Sequence, residues 1–338
     1  MLNTETVFAS AFRNDDGTYG VMLLGEQGNE ISRLSLPARG HDIAFNPVKR
    51  QGVAFARRPG NFALAFYVDS RRAPVTITTP EERHFYGHGV FSRDGKLLYA
   101  SENDFENAKG VIGIYDATGN FERIGEFSSF GIGPHEILLH PEKNILVVAN
   151  GGIETHPDFG RTKLNIPMMQ PSLAFVDLAS GGLVERHLMP AKLHKLSIRH
   201  MDVSNSGTVV FGCQYEGSET DLPPLIGSLK LGEPLRFWET PIGELKTFSN
   251  YVGSVALHAH LQQVAITLPK GNKVAIYSME TKRLLRVIEK PQSFGIVSSE
   301  SGFAYTTATG LVGSVLSQET RKFPDIAFDN HVANAFSS

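Results

Sequence analysis

Short apolar runs rich in Val, Ile, Leu and aromatic residues recur along the whole chain, each closed by a Gly, Asp or Asn turn. Runs of this length and composition predict β-strands, and they come in groups of four. HGVFS, LLYASEN (97–103), GVIGIYDAT (110–118) and FERIGEF (121–127) form one group. Equivalent groups start at HDIAF (41–45), HEILL (135–139), MDVS (201–204), VGSVAL (252–257) and FGIVSS (294–299). The last of these has a weak outer strand near TRKFPDI (320–326). HVANAF (331–336) is left over at the end, an inner strand without companions. TVFASAF (6–12), YGVMLLG (19–25) and EISRLSL (30–36) at the start supply the missing three.

The groups carry a repeat. His41, His88 and His135 are spaced by 47 residues and each opens an inner strand. His200 and His331 hold the same phase farther on. A period of 40–50 residues built from short strands marks a β-propeller. The predicted fold is all-β: one domain over 1–338, seven blades of four strands. The C-terminal inner strand pairs with the three N-terminal strands and closes the ring. Closure leaves no blade with an unpaired edge. The third strands often end in a hydrophobic–Asp turn without Trp-Asp, which is not a WD-repeat pattern.

Composition narrows the function classes. The net charge is −3 with mixed signs, and no Lys/Arg run predicts a nucleic-acid or polybasic membrane partner. No segment approaches the length of a membrane span, so no membrane insertion is expected. A single cysteine, Cys213, excludes an intramolecular disulfide and reads as a buried core residue. MLNTETVFAS does not read as a signal peptide, although a chain starting after a removed leader would look the same.

The candidate chemistry lies on one face. The histidines sit where the chain enters the inner strands, and the second-to-third-strand loops share that face. Those loops are polar and in places long: 56–61, 102–110, 150–171 and 214–224. Long loops in a compact domain are more often functional than decorative. The candidate ligand-binding set is His41, His88, His135, His200, His331, Arg57, Glu102, His156, Arg161 and Glu216. Three readings stay open. Imidazoles from successive blades suit a transition-metal ion, with His88, His135 and His200 as the metal trio. Arg39, Arg57, Arg58, Arg161 and Arg199 suit a carboxylate or phosphate. Alternatively, the histidines knit blades together through backbone or carboxylate bonds. Glu102, Glu136, Glu154 and Glu216 are candidate acids, bases or partners of the imidazoles.

PARGHDIAF, HFYGHGVFS, GIGPHEILLHP, VVANGGIETHPDFGR, LSIRH, FGCQYEG and NYVGSVA carry a family resemblance. Over nearly its whole length the chain resembles an uncharacterised bacterial propeller family, a domain of unknown function. That family is similar in fold to quinoprotein amine dehydrogenase and YVTN-type propellers. Its members usually carry an export signal and often lie beside imelysin-like and haem-containing proteins of iron uptake. The resemblance implies a periplasmic protein linked to iron or another metal, and it supplies no catalytic residue. The function expected is therefore a binding protein with a His-rich site at one channel mouth. Its partner would be a metal ion, a small molecule or a periplasmic protein. The first alternative is a lactonase- or cycloisomerase-type enzyme using His135, His200, Glu216 and Arg161. The second is a protein-docking scaffold.

Overall fold

A computed structural model describes residues 7–68, 72–317 and 319–335. Seven antiparallel sheets surround a central channel. Blade 2 runs over Gly40–Phe45, Gln51–Ala56, Phe62–Tyr67 and Val75–Thr78. Blade 3 runs over Arg83–Phe91, Leu97–Asp104, Lys109–Asp116 and Arg123–Ser128. The inner strands of blades 4, 5, 6 and 7 are Pro134–Leu139, Leu196–Val203, Ser254–His258 and Ser293–Ser299. Blade 1 is the closure blade. Phe8–Asn14, Tyr19–Leu24 and Glu30–Leu36 pair with two C-terminal strands, Ile326–Phe328 and Ala333–Asn334.

Burial follows position in the blade. Middle strands lie between neighbouring blades on both faces, so they read as unbroken apolar runs. Ile145–Asn150 is buried at every position. Outer strands have one solvent face and alternate: Arg123–Ser128 switches residue by residue between partly buried and exposed. Cys213 lies buried in the second strand of blade 5, as its apolar setting predicts. A four-residue helix, Ile242–Leu245, links blades 5 and 6 and buries Leu245. It is too short to show a helical period in the sequence.

Four inner strands, those of blades 2 to 5, share an irregularity that the repeat does not reveal. Their pairing with the second strand slips between Gly40 and Ile43, Phe85 and Gly89, Pro134 and Ile137, and Ile198 and His200. Each slip falls at a histidine of the repeat. A bulge of this kind bends the strand and re-aims a side chain. Here it turns the imidazole onto the axis.

The closure strand shows the same break in enlarged form. It starts at Ile326, earlier than the 331–336 expected from sequence, and is interrupted around His331. Phe12 pairs with Phe328, and Phe8 with Asn334. Between them the Asp329 amide donates to Ala11 O at 2.8 Å, and Ser10 Oγ donates to His331 O at 2.6 Å. The outer strand expected near 320–326 shrinks to Thr320–Lys322, because Ile326 belongs to the next blade. Of the strand ends expected from sequence, Thr6 and Phe336 lie outside the described residues.

Phe328 is buried with Phe8, Phe12, Met22 and Val297, uniting both chain ends with blade 7. Phe328→Ala is expected to cost about 3–5 kcal/mol in denaturant unfolding. Deleting residues 329–338 is expected to lower the melting temperature steeply. An unchanged melting temperature in the truncated protein would contradict closure through this strand.

Candidate functional site

Five imidazoles meet on the axis. The His41 ring centre lies 4.6 Å from His331, 5.0 Å from His88 and 5.7 Å from His135. His88 and His135 are 4.6 Å apart, and His135 and His200 4.9 Å. His200 reaches His331 across the channel at 4.8 Å, although their blades are not neighbours. His41, His88, His200 and His331 are buried, and His135 keeps a partly exposed edge. Backbone shape permits this crowding. Gly87 has φ +103°, and a Cβ there would lie 2.4 Å from His41 Cδ2. Only glycine fits before His88 without displacing that ring.

Carboxylates hold several rings from behind. His88 Nδ1 is 3.0 Å from Asp42 Oδ2, and His41 Nδ1 is 3.3 Å from Asp329 Oδ1. His200 Nδ1 lies 3.6 Å from Glu136 Oε2, too long for a good bond. Asp329 also accepts from Arg39 Nε at 2.5 Å and Arg57 Nη1 at 2.8 Å. A carboxylate on Nδ1 fixes the tautomer and leaves Nε2 with its lone pair. His88 Nε2, His135 Nδ1, both nitrogens of His200 and His331 Nε2 are buried with no hydrogen-bond partner among the described residues. Leaving a buried polar atom unsatisfied costs about 1–3 kcal/mol. A purely structural cluster would pair these atoms.

Burial sets the protonation. It pushes His41 down to about 3 and His135, His200 and His331 well below the ordinary imidazole value. Burial also lowers His88, but the bond and charge of Asp42, with Glu136, outweigh it and leave His88 raised. Farther along the inner strands the channel holds Asp42, Glu136 and Asp202 around a cavity of about 200 Å³. Burial pushes Glu136 and Asp202 up to about 7. Burial would raise Asp329 too, but the bond from His41 and the charges of Arg57 and Arg39 hold it well below the carboxylate range.

The upper mouth is basic. His41, His135 and His200 form the floor of a cavity of about 260 Å³, with Arg57, Arg161 and Arg199 on its walls. The structure thus brings together seven of the ten residues expected at the site: the five histidines, Arg57 and Arg161. The other three do not line the cavity. Glu102 is fully buried inside blade 3, where Tyr115 Oη donates to it at 2.5 Å and Arg123 Nη2 at 2.9 Å. His156 stays on the rim, with Nε2 3.1 Å from Glu106 and its ring against Phe105. Glu216 is tied to Lys163, and Lys163 rather than Glu216 lines the cavity. His88, His135 and His200 share one cluster, but the trios with close ligand atoms are His41–His88–His135 and His88–His200–His331. The channel is narrow enough for rings to meet across it as well as along it. Sequence reasoning missed Asp42 and Asp329 as partners of the rings. The signal was an acid beside a repeat histidine, as in HDI (41–43) and DNH (329–331).

A family described as "Protein of unknown function (DUF1513)" matches residues 34–335. None of the curated proteins searched matches the chain. Among solved structures, hydrazine synthase of Kuenenia stuttgartiensis is similar with TM-score 0.63 and 14% identity, over 91% of this chain and 93% of that one. The Cps50 (Swd1) β-propeller domain of Myceliophteria thermophila is similar with TM-score 0.63 and 12% identity, over 91% of each chain. At these identities the likeness carries the fold alone.

The buried imidazoles make a pH prediction. Four of them stay neutral in the fold and take up protons on unfolding once pH falls below about 6.5. Glu136 and Asp202 oppose this, because the fold keeps their protons up to about pH 7 and unfolding releases them. His88 is protonated in both states below about 6.5 and cancels. Four against two leaves the unfolded state with more bound protons between about pH 5 and 6.5, so stability rises with pH across that window. Denaturant unfolding of metal-free protein at the two ends checks this. A flat or falling profile would contradict the neutral cluster.

Proposed function

The chain belongs to the DUF1513 family of proteins of unknown function, and from that premise we propose that it is a metal-binding propeller. It holds a divalent transition-metal ion among the central imidazoles. The observation that carries this reading is the set of desolvated ring nitrogens without partners, His88 Nε2, His200 Nε2 and His331 Nε2 foremost. Within each trio the ligand atoms lie within 4.8 Å of one another. Metal–imidazole bonds of about 2.0–2.1 Å in tetrahedral geometry put ligand atoms about 3.4 Å apart, so binding draws the rings together by up to about 1.4 Å. His88 belongs to both trios, and Asp42 on its Nδ1 holds it for coordination through Nε2. Neutral imidazoles favour copper, zinc, iron or nickel over calcium or magnesium. The resemblance to exported propellers supports reading it as a periplasmic binding protein of iron or copper handling.

Thermal unfolding of tag-free protein, stripped on a chelating resin and titrated with Cu²⁺, Zn²⁺, Ni²⁺ or Fe²⁺, tests the reading. At a hundredfold excess over the dissociation constant the expected gain is about 2.7 kcal/mol. His88→Ala is expected to fold and lose the gain, because both trios lose a ligand. His156→Ala, on the rim, is expected to keep it. A wild-type protein indifferent to all four ions, or a His88→Ala protein that responds as wild type, would contradict the proposal.

A further inference from the structure

The cavity above the imidazoles is lined by five cationic side chains: Arg57, Arg58, Arg161, Lys163 and Arg199. They reach it from three blades. Arg57 and Arg58 follow the second strand of blade 2, Arg161 and Lys163 belong to the long insertion of blade 4, and Arg199 sits on the inner strand of blade 5. Two carboxylates answer them: Asp329 pairs with Arg57, and Glu216 pairs with Lys163 and acts by charge, without an ion pair, on Arg199 and Arg58. Arg58, Arg161 and Arg199 have no carboxylate at ion-pair distance among the described residues. Arg199 is only 6% exposed, and its Nε has no hydrogen-bond partner. Arg58 has one long bond, Nη1 to Thr155 Oγ1 at 3.4 Å. Burial and the charge of Arg199 push Arg58 below its ordinary value, and burial with Arg57 and Arg58 does the same to Arg161. Buried or crowded guanidinium groups are stable where a negative group offsets them.

We propose that this cavity binds a small molecule carrying at least two oxyanion groups, carboxylate or phosphate. Guanidinium forks accept both groups in bidentate geometry. Three guanidinium groups without an ion-pair partner, approaching from different blades, exceed what a single monoanion can reach. A volume of about 260 Å³ sets the size, that of a compact polyacid rather than a polymer. Tyr86 and Asn330 on the same wall add neutral donors. The inference goes beyond the metal reading and does not require an ion.

Calorimetric titration of metal-free protein with tricarballylate and, separately, with pyrophosphate tests it. One-to-one binding of either probe is expected, and the tighter one identifies the group as carboxylate or phosphate. Arg199→Gln and Arg161→Gln are each expected to weaken that binding at least tenfold. Arg161 is exposed, so its replacement leaves the core untouched. Arg286→Gln, on an outer strand of blade 6, is expected to bind as wild type. His88 does not line the cavity, so His88→Ala is expected to keep the anion while losing the metal response. Absence of binding by both probes, or binding that neither Arg199→Gln nor Arg161→Gln weakens, would overturn the proposal. Either result leaves the metal response unaffected.

Discussion

The centre of this protein depends on joining the two ends of the chain. A propeller channel has a defined bore only when its ring is closed, and closure here runs through a strand of a few residues broken in the middle. The break holds His331, and two residues earlier stands Asp329, which receives Arg39, Arg57 and His41. One carboxylate therefore fastens blade 1 to blade 2 and sets the ring of the first repeat histidine. The energetics of folding and the geometry of the site share this contact. A change that loosens the C-terminal strand loosens the imidazole cluster with it.

Charge is layered along the axis. Guanidinium groups crowd the upper mouth, imidazoles fill the waist, and Asp42, Glu136 and Asp202 lie below. The layers follow from neighbouring positions on the same strands. In HDI (41–43) and HEI (135–137) the residue after the histidine is the acid, and in IRH (198–200) the residue before it is a cation. A strand crossing the channel wall thus presents base, imidazole and acid in turn. A divalent ion at the waist would lie near carboxylates that offset its charge, whereas an anion is matched only at the upper mouth. The arrangement separates the two kinds of ligand by depth.

The blades and the histidine phase were legible in the sequence because both are periodic. Short apolar runs fix the strands, and a shared phase fixes one position in each blade. The register breaks were not legible, since a bulge leaves the residue count of the repeat unchanged while altering direction. That is why the trios with close ligand atoms include His41 and His331 as well as His88. Glu102 shows the other limit. Read as the start of a loop, it lies inside a strand that continues to Asp104. Two residues of strand boundary decide whether a side chain faces a loop or a blade interior, and here Tyr115 and Arg123 receive it. His156 lies on the long insertion, whose path no period predicts, and it ends on the rim.

The central claim is that the buried imidazoles coordinate an ion. X-ray absorption on the protein loaded with one equivalent of Zn²⁺ or Cu²⁺ tests it most directly. A first shell with at least three imidazole nitrogens at about 2.0–2.1 Å is expected in the wild-type protein, and no such shell in His88→Ala. A shell dominated by oxygen, or one unchanged by His88→Ala, would place the ion elsewhere and contradict the account.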